Sequence, residues 1–271
     1  MIKMVFNPFD STLGLLWDLI AMIITIVVLL ALVQINAIFQ KKKIFSQIVT
    51  RKLVHIFAGP IFVLLWMLFS GQVFSRYIAM IVPILFVLQF VAIGTGKMKN
   101  ENFVASMSRT GDPKELLHGT LYYAIVMVIM TVFWFYVPVS GIADANPSAL
   151  LIIGCVSGGD GIADIIGRKY GGDKKLRIRG SEKTLIGSLG MLVGSIVVSS
   201  ILVLIFSIES SSINIVNLIV PILIVSVIAT IVEALSPKGI DNITIFVAVI
   251  LVILVLNLSL PSLWPYPFFN F

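Results

Sequence analysis

The run Gly158-Gly159-Asp160-Gly161-Ile162-Ala163-Asp164-Ile165-Ile166-Gly167-Arg168-Lys169 holds the side chains of this 271-residue sequence best suited to chemistry. Asp160 and Asp164 are four positions apart, so on a helix both carboxylates project from one face. Seven basic residues follow from Arg168 to Lys183. Two carboxylates beside glycines and a cluster of Lys and Arg make a seat for a divalent cation and a polyphosphate. Mg²⁺ held by Asp160 and Asp164 would bridge phosphate oxygens, with Lys and Arg neutralising the remaining charge. Gly161 and Gly167 would let backbone N–H groups come close to the phosphates. The seven basic residues, Arg168, Lys169, Lys174, Lys175, Arg177, Arg179 and Lys183, have a second reading, as anchors to anionic lipid headgroups. Anchoring needs no acids, and acids at a bilayer edge are costly, so Asp160 and Asp164 read as functional.

Three further constellations accompany this one. In Arg51-Lys52-Leu53-Val54-His55, helical spacing puts Arg51 and His55 on one face. They can contact phosphate, or His55 can move a proton, while anchoring explains Arg51 and Lys52 equally well. In Ser108 to Gly119, Asp112 suits a helix N-cap, Pro113 the first helical position and Glu115 the N3 position of a capping box. Glu115 and His118, three apart, also form a polar pair that can enter a site. Glu233 stands near the end of an apolar span with no structural excuse, whereas Asp241 can cap the helix after it, with Thr244 at N3.

These motifs need a scaffold, and composition names it. With 59% hydrophobic and 12% charged residues and a mean hydropathy of +1.09, the chain belongs in a membrane. Apolar runs predict an all-α polytopic protein of about eight spans: Leu13–Ile35, Leu53–Phe69, Tyr77–Ile93, Leu116–Val137, Ser148–Ile166, Leu185–Phe206, Ile213–Leu235 and Ile243–Leu260. The fifth is the odd one, since its second half is rich in glycine and carries both acids. A short or broken helix there would line a cavity. The first span is too long for a signal-peptide core and is followed by Lys41-Lys42-Lys43, so it reads as retained.

Under this arrangement 17 of the 19 basic residues fall on one side of the membrane. The positive-inside rule makes that side cytoplasmic, with both termini outside and every polar motif on the inner face. Such a site can draw a phosphate donor from water and an alcohol from the bilayer. The cytoplasmic side would be that of a plasma membrane in a prokaryote, or of an endoplasmic reticulum or plastid membrane in a eukaryote. Asp18 and Asp144 read as interface residues. The lone Cys155 excludes a disulfide within the chain and any cysteine-based metal cluster.

Two soluble nucleotide motifs are excluded. Gly94-Thr95-Gly96-Lys97 lacks the first glycine and the final Ser or Thr of a P-loop, having Val91 and Met98 there. Gly159-x-Gly161 meets Asp164 where a dinucleotide fingerprint needs glycine. The net charge of +6 comes from the loops and does not indicate nucleic acid.

Taken in order, four motifs between Arg51 and Asn242 resemble the membrane polyprenol kinase family: phytol, farnesol and dolichol kinases and CTP-dependent diacylglycerol kinases. They are Arg51-Lys52-x-x-His55 with Gly59; Ser108-Arg109…Glu115-Leu116-x-x-Gly119-x-x-Tyr122-Tyr123; Asp160-Gly161-x-Ala163-Asp164-x-x-Gly167-Arg168-x-x-Gly171, continued by Lys183-Thr184-x-x-Gly187-Ser188; and Glu233-x-Leu235-Ser236-Pro237-x-Gly239-x-Asp241-Asn242. The resemblance implies Mg²⁺-dependent transfer of the γ-phosphoryl of CTP, or another nucleoside triphosphate, to a lipid alcohol such as phytol, geranylgeraniol or dolichol. It implies catalytic roles for Asp160, Asp164 and Glu233, with Asp160 or Glu233 orienting or deprotonating the hydroxyl. It implies nucleotide contacts from Arg51, Lys52, His55, Arg109, Glu115, Gly161, Gly167, Arg168, Lys183, Asp241 and Asn242. The nearest rival is a CTP-dependent cytidylyltransferase making a CDP-lipid, which Ser181-x-Lys183-Thr184-x-x-Gly187 also resembles. Gly239-Ile240-Asp241-Asn242 departs from that family's Gly-Gly…Asp-Arg-x-Asp ending. A lipid transporter would need functional polar residues on both membrane faces, and the outer loops have few. Oligomeric state and the acceptor's identity are not legible.

Overall fold

A computed structural model describes residues 11–138, 145–172, 175–178, 181–210, 212–237 and 239–270. Asp144, Lys174, Arg179 and Lys238 lie outside the described residues, as does the side chain of Arg177. Among the described residues, eight helical segments are long and apolar enough to cross a membrane, one for each span read from the sequence. A chain in hydrocarbon must satisfy its backbone internally, so long apolar runs become helices. In order these are α1 (Gly14–Lys41), α2 (Gln47–Leu64), α3 (Ser75–Gly94), α5 (Gly119–Trp134), α6 with α7 (Ser148–Ile153 and Asp160–Tyr170), α8 (Leu185–Glu209), α9 (Ile215–Leu235) and α10 (Asp241–Ser259). A short α4 (Glu101–Met107) and a 3₁₀ turn (Pro113–Leu117) lie between α3 and α5.

Helix α2 starts earlier than hydropathy alone predicts, because a polar cap closes its first turn. The Val49 N–H donates to Ser46 Oγ (3.4 Å), so α2 begins at Gln47 and carries Arg51 and Lys52 on its second turn. The Gly187 N–H donates to Thr184 Oγ1 in the same way (3.0 Å). Asp112 does act as a cap, accepting from the Lys114 N–H (2.9 Å), but the element it caps is the 3₁₀ turn. Asp241 is inside the first turn of α10 and does not cap it; that place belongs to Ile240.

The fifth span is the centre of the bundle. In its hydrophobic window 78% of the residues are buried inside the protein, against 28–44% in the other seven. It is continuous but changes pitch: Gly154–Gly159 forms a π-helical segment between α6 and α7. Small residues let α8 come close here. A Cβ on Gly158 would stand 2.5 Å from a Val198 methyl, and Gly154 and Gly159 face Ser199 and Ser195.

All the polar motifs gather at one end of the bundle, where α1, α3, α7 and α9 finish and α2, α5, α8 and α10 begin. A two-stranded antiparallel hairpin at that end, β1 (Lys175–Ile178) with β2 (Ser181–Thr184), was read from the sequence only as a basic loop. The opposite end is closed by other means. Asp18 is fully buried and accepts from the Ser70 N–H (2.6 Å) and the Ser75 hydroxyl (2.5 Å), so it is a packing residue and not an interface residue. The C-terminal segment folds back there, with the Trp134 indole donating to the Phe268 carbonyl (2.6 Å) and Arg76 donating to the Asn270 carbonyl.

Candidate functional site

Two helices supply the centre of the site. The π segment sets Asp160 on the face of the central span that meets α2. One turn into α2, Lys52 donates to Asp160 Oδ2 (2.9 Å) and lies 3.6 Å from Asp164 Oδ2. His55 Nε2 lies 3.2 Å from the same Asp160 oxygen and 2.9 Å from the Val156 carbonyl. Both partners accept only, so His55 donates from Nε2. Asp164 pairs with Arg168 on the next turn (2.7 Å) and with Arg51 (3.8 Å). Asp160 and Asp164 are thus side by side, as their spacing requires, with one ammonium between them.

The π segment is held to α2 by hydroxyls. Tyr123 on α5 and Ser157 lie 2.6 Å apart, and both reach the His55 carbonyl, at 3.1 and 2.7 Å. The His55 and Tyr123 rings pack with centroids 4.3 Å apart. Gly59 makes this possible, since a Cβ there would run into the Tyr123 hydroxyl. Ser157 is the residue that sequence reasoning missed; its signal was its place three residues before Asp160, inside a glycine-rich break.

A second ionic cluster joins three elements. Lys183, at the end of β2, donates to Glu233 at the end of α9 and lies 3.7 Å from Asp241 at the start of α10. Burial pulls the Lys183 ammonium down, but Glu233, Asp160 and Asp241 outweigh it and push it up to about 12. Asn242 donates to the Gly119 carbonyl (2.8 Å), tying α10 to the start of α5. Glu115 does not bond back to a cap residue. Its carboxylate accepts from the Arg109 N–H and from the Thr110 hydroxyl (3.0 Å), shaping the turn that presents Arg109.

A cavity of about 550 Å³ opens among these groups. Its polar end is lined by Arg51, Lys52, His55, Arg109, Glu115, His118, Asp160, Asp241 and Asn242. Asp164, Arg168, Lys183 and Glu233 stand outside its lining. Several polar atoms at this end are buried without a hydrogen-bond partner: Arg51 Nε and Nη2, Arg109 Nε, Asp164 Oδ2 and Asn242 Oδ1. Orphaned donors on two neighbouring guanidinium groups are costly unless an anion receives them, and phosphate oxygens fit that geometry. Among the described residues no group of three or more His, Cys, Asp or Glu could hold a metal alone. Magnesium is commonly held by one or two carboxylates plus substrate phosphates, so Asp160 and Asp164, whose Oδ2 accepts no hydrogen bond, would be the pair to hold it, with the ion taking the place between them that the Lys52 ammonium fills.

The glycines of the motif also have a packing role. The Asp160 N–H already bonds back to the Cys155 carbonyl through the π turn, so α7 has no free N-terminus to offer. Gly161 makes room for Ile56 of α2, and Gly167 for Thr184 and Gly187 at the start of α8. Helix packing uses both glycines.

The chain is similar to a probable phytol kinase 2, chloroplastic, from Oryza sativa subsp. japonica, at 38% identity over 69% of this chain and 58% of the relative. It is similar to phytol kinase 1, chloroplastic, from Arabidopsis thaliana (34%, over 62% of this chain and 52% of the relative) and to an Arabidopsis farnesol kinase, chloroplastic (36%, over 56% and 46%). The chain spans about half the length of these relatives. No family model matches it, and no solved structure does. The relatives bear out the resemblance to the polyprenol kinase family carried by the four motifs.

Proposed function

We propose that this relative of the phytol and farnesol kinases is itself a lipid-alcohol kinase, transferring the γ-phosphoryl of CTP or another nucleoside triphosphate to a prenol. One observation carries the reading: a single cavity joins the Asp160–Lys52–His55 cluster and its orphaned guanidinium donors to an apolar stem. A phosphate donor and an amphiphilic acceptor can meet there.

Asp160 and Asp164 would hold Mg²⁺ together with the nucleotide, and the ion would supply charge neutralisation on the transferring phosphoryl group. Arg51 and Arg109 receive phosphate oxygens, and Lys52 stabilises charge spread over them. His55, held by Asp160 and the Val156 carbonyl, lines the cavity where an acceptor hydroxyl would meet the phosphate. Glu233, held by Lys183 outside the cavity lining, positions Lys183, which in turn faces Asp241, and the hydroxyl proton is left to the groups that line the cavity. The site faces the cytoplasm under the positive-inside rule. The relatives carry chloroplastic names, which fits a plastid membrane among the compartments open to such a protein.

Purified protein with Mg²⁺, labelled CTP or ATP and a panel of lipid alcohols tests the reading. A kinase releases the nucleoside diphosphate and forms a lipid monophosphate. Release of pyrophosphate would mean a cytidylyltransferase instead.

A further inference from the structure

His55 Nε2 makes its shorter contact, 2.9 Å, with a backbone carbonyl and not with a carboxylate. That carbonyl belongs to Val156, the third residue of the π segment. In an α-helix the Asp160 N–H would close onto Val156. Here it closes one residue further back, on Cys155, and the Val156 carbonyl takes its hydrogen from His55. At membrane depth an unclaimed carbonyl is costly, so the wider pitch persists only where a donor is supplied. The pitch also sets direction. A π turn takes up one extra residue, so tightening it to α would turn everything beyond it by about 100° and carry it on by about 1.5 Å. Asp160 and Asp164 would then leave the face where Lys52 lies 2.9 and 3.6 Å from them.

The hydrogen bonds that fix this segment come from the α2 and α5 side. His55 donates to Val156, while Ser157 and Tyr123 donate to the His55 carbonyl. On the α8 side, the hydroxyls of Ser195 and Ser199 are buried against Gly159 and Gly154 with no hydrogen-bond partner. Those two hydroxyls therefore do nothing to choose between the pitches. We propose that His55 is a positioning residue: its Nε2–H, given to the Val156 carbonyl, keeps the central span in the π pitch and so holds Asp160 and Asp164 beside Lys52. The inference rests on the kinase reading for what the two acids do. It gives His55 a part that needs a donated hydrogen and no transfer of a proton.

Glutamine and leucine at position 55 separate the two parts. A Gln amide donates from nearly the same place as Nε2 but takes up no proton, whereas Leu fills the space and donates nothing. The full chain in nanodiscs is assayed with Mg²⁺, labelled nucleotide and a panel of lipid alcohols, at a temperature where every variant is folded. His55→Leu should lower kcat about a hundred-fold or more, and His55→Gln should stay within roughly ten-fold of the parent. Cys155, the single cysteine of the chain and buried beside Val156, reports the pitch without turnover. Methyl methanethiosulfonate should modify it roughly ten-fold faster in His55→Leu than in the parent, and at the parent rate in His55→Gln, because a change of pitch repacks the helix around the thiol. A glutamine variant as inactive as the leucine one, with Cys155 protected in both, would assign His55 to proton transfer and overturn the inference. A leucine variant with parent activity overturns it as well. Should the leucine variant not fold, the activity of His55→Gln decides alone. If none of the proteins phosphorylates any alcohol, yet Leu exposes Cys155 and Gln protects it, the pitch assignment stands and the kinase reading falls.

Discussion

Asp160 is nearly dry and shares one oxygen between an ammonium and an imidazole. A buried carboxylate survives as an anion only with such partners, and under the kinase reading the same partners would serve phosphoryl transfer. Asp160→Asn keeps the shape and removes the charge. It should lower lipid phosphorylation about a hundred-fold or more while the protein still inserts, as checked by membrane fractionation and initial rates. Lys183 yields a prediction of a different kind. An ammonium raised to about 12 stabilises the fold fully below its unfolded value near 10.4 and loses that contribution as pH rises through about 12. Lys183→Met should therefore lower the thermal midpoint by the same amount at pH 6 and pH 9. A difference that shrinks across that window would show that the Glu233–Lys183 pair is not intact.

At the scale of elements, the π segment and its hydroxyl clamp decide where Asp160 points. Gly59→Ala puts a methyl into the Tyr123 hydroxyl, and such overpacking costs about 1–3 kcal/mol. Activity should fall with stability, because the same clamp positions His55. The double variant Gly59→Ala/Tyr123→Phe should recover part of the lost thermal stability, a non-additive result expected only of residues in contact. Additive losses would disprove the clamp. Gly158→Val tests the other side of the same helix, where Val198 leaves no room for a side chain. It should separate α8 from the central span and lower the midpoint without touching any residue of the cavity wall.

For the whole molecule the open question is orientation. The lysine-rich ends and the cavity share one end of the bundle, and Ser70 and the C-terminal segment share the other. With the buried Cys155 replaced by Ser, a cysteine at Lys43 should react with a membrane-impermeant maleimide only after permeabilisation. A cysteine at Gln72 should react in intact cells. The reverse pattern would place the site on the outer face and break the link to cytoplasmic nucleotide.

Much of this was legible in the chain itself, for a physical reason. Eight apolar runs, the i, i+4 acids and the ordered polar motifs are local patterns, and a membrane turns such patterns directly into helices. Hydropathy starts the second span at Leu53, six residues past the start of α2, because the cap at Ser46 and not hydropathy sets the first turn. The hairpin at Lys175–Thr184 was missed because a short basic strand pair has no apolar alternation to read. Asp18 looked like an interface residue because its partners, Ser70 and Ser75, stand more than fifty residues away. Only the tertiary structure could seat Lys52 between Asp160 and Asp164, place Glu233 behind Lys183, and open an apolar stem under the polar site. Those are contacts between distant segments, and spacing along the chain carries no record of them.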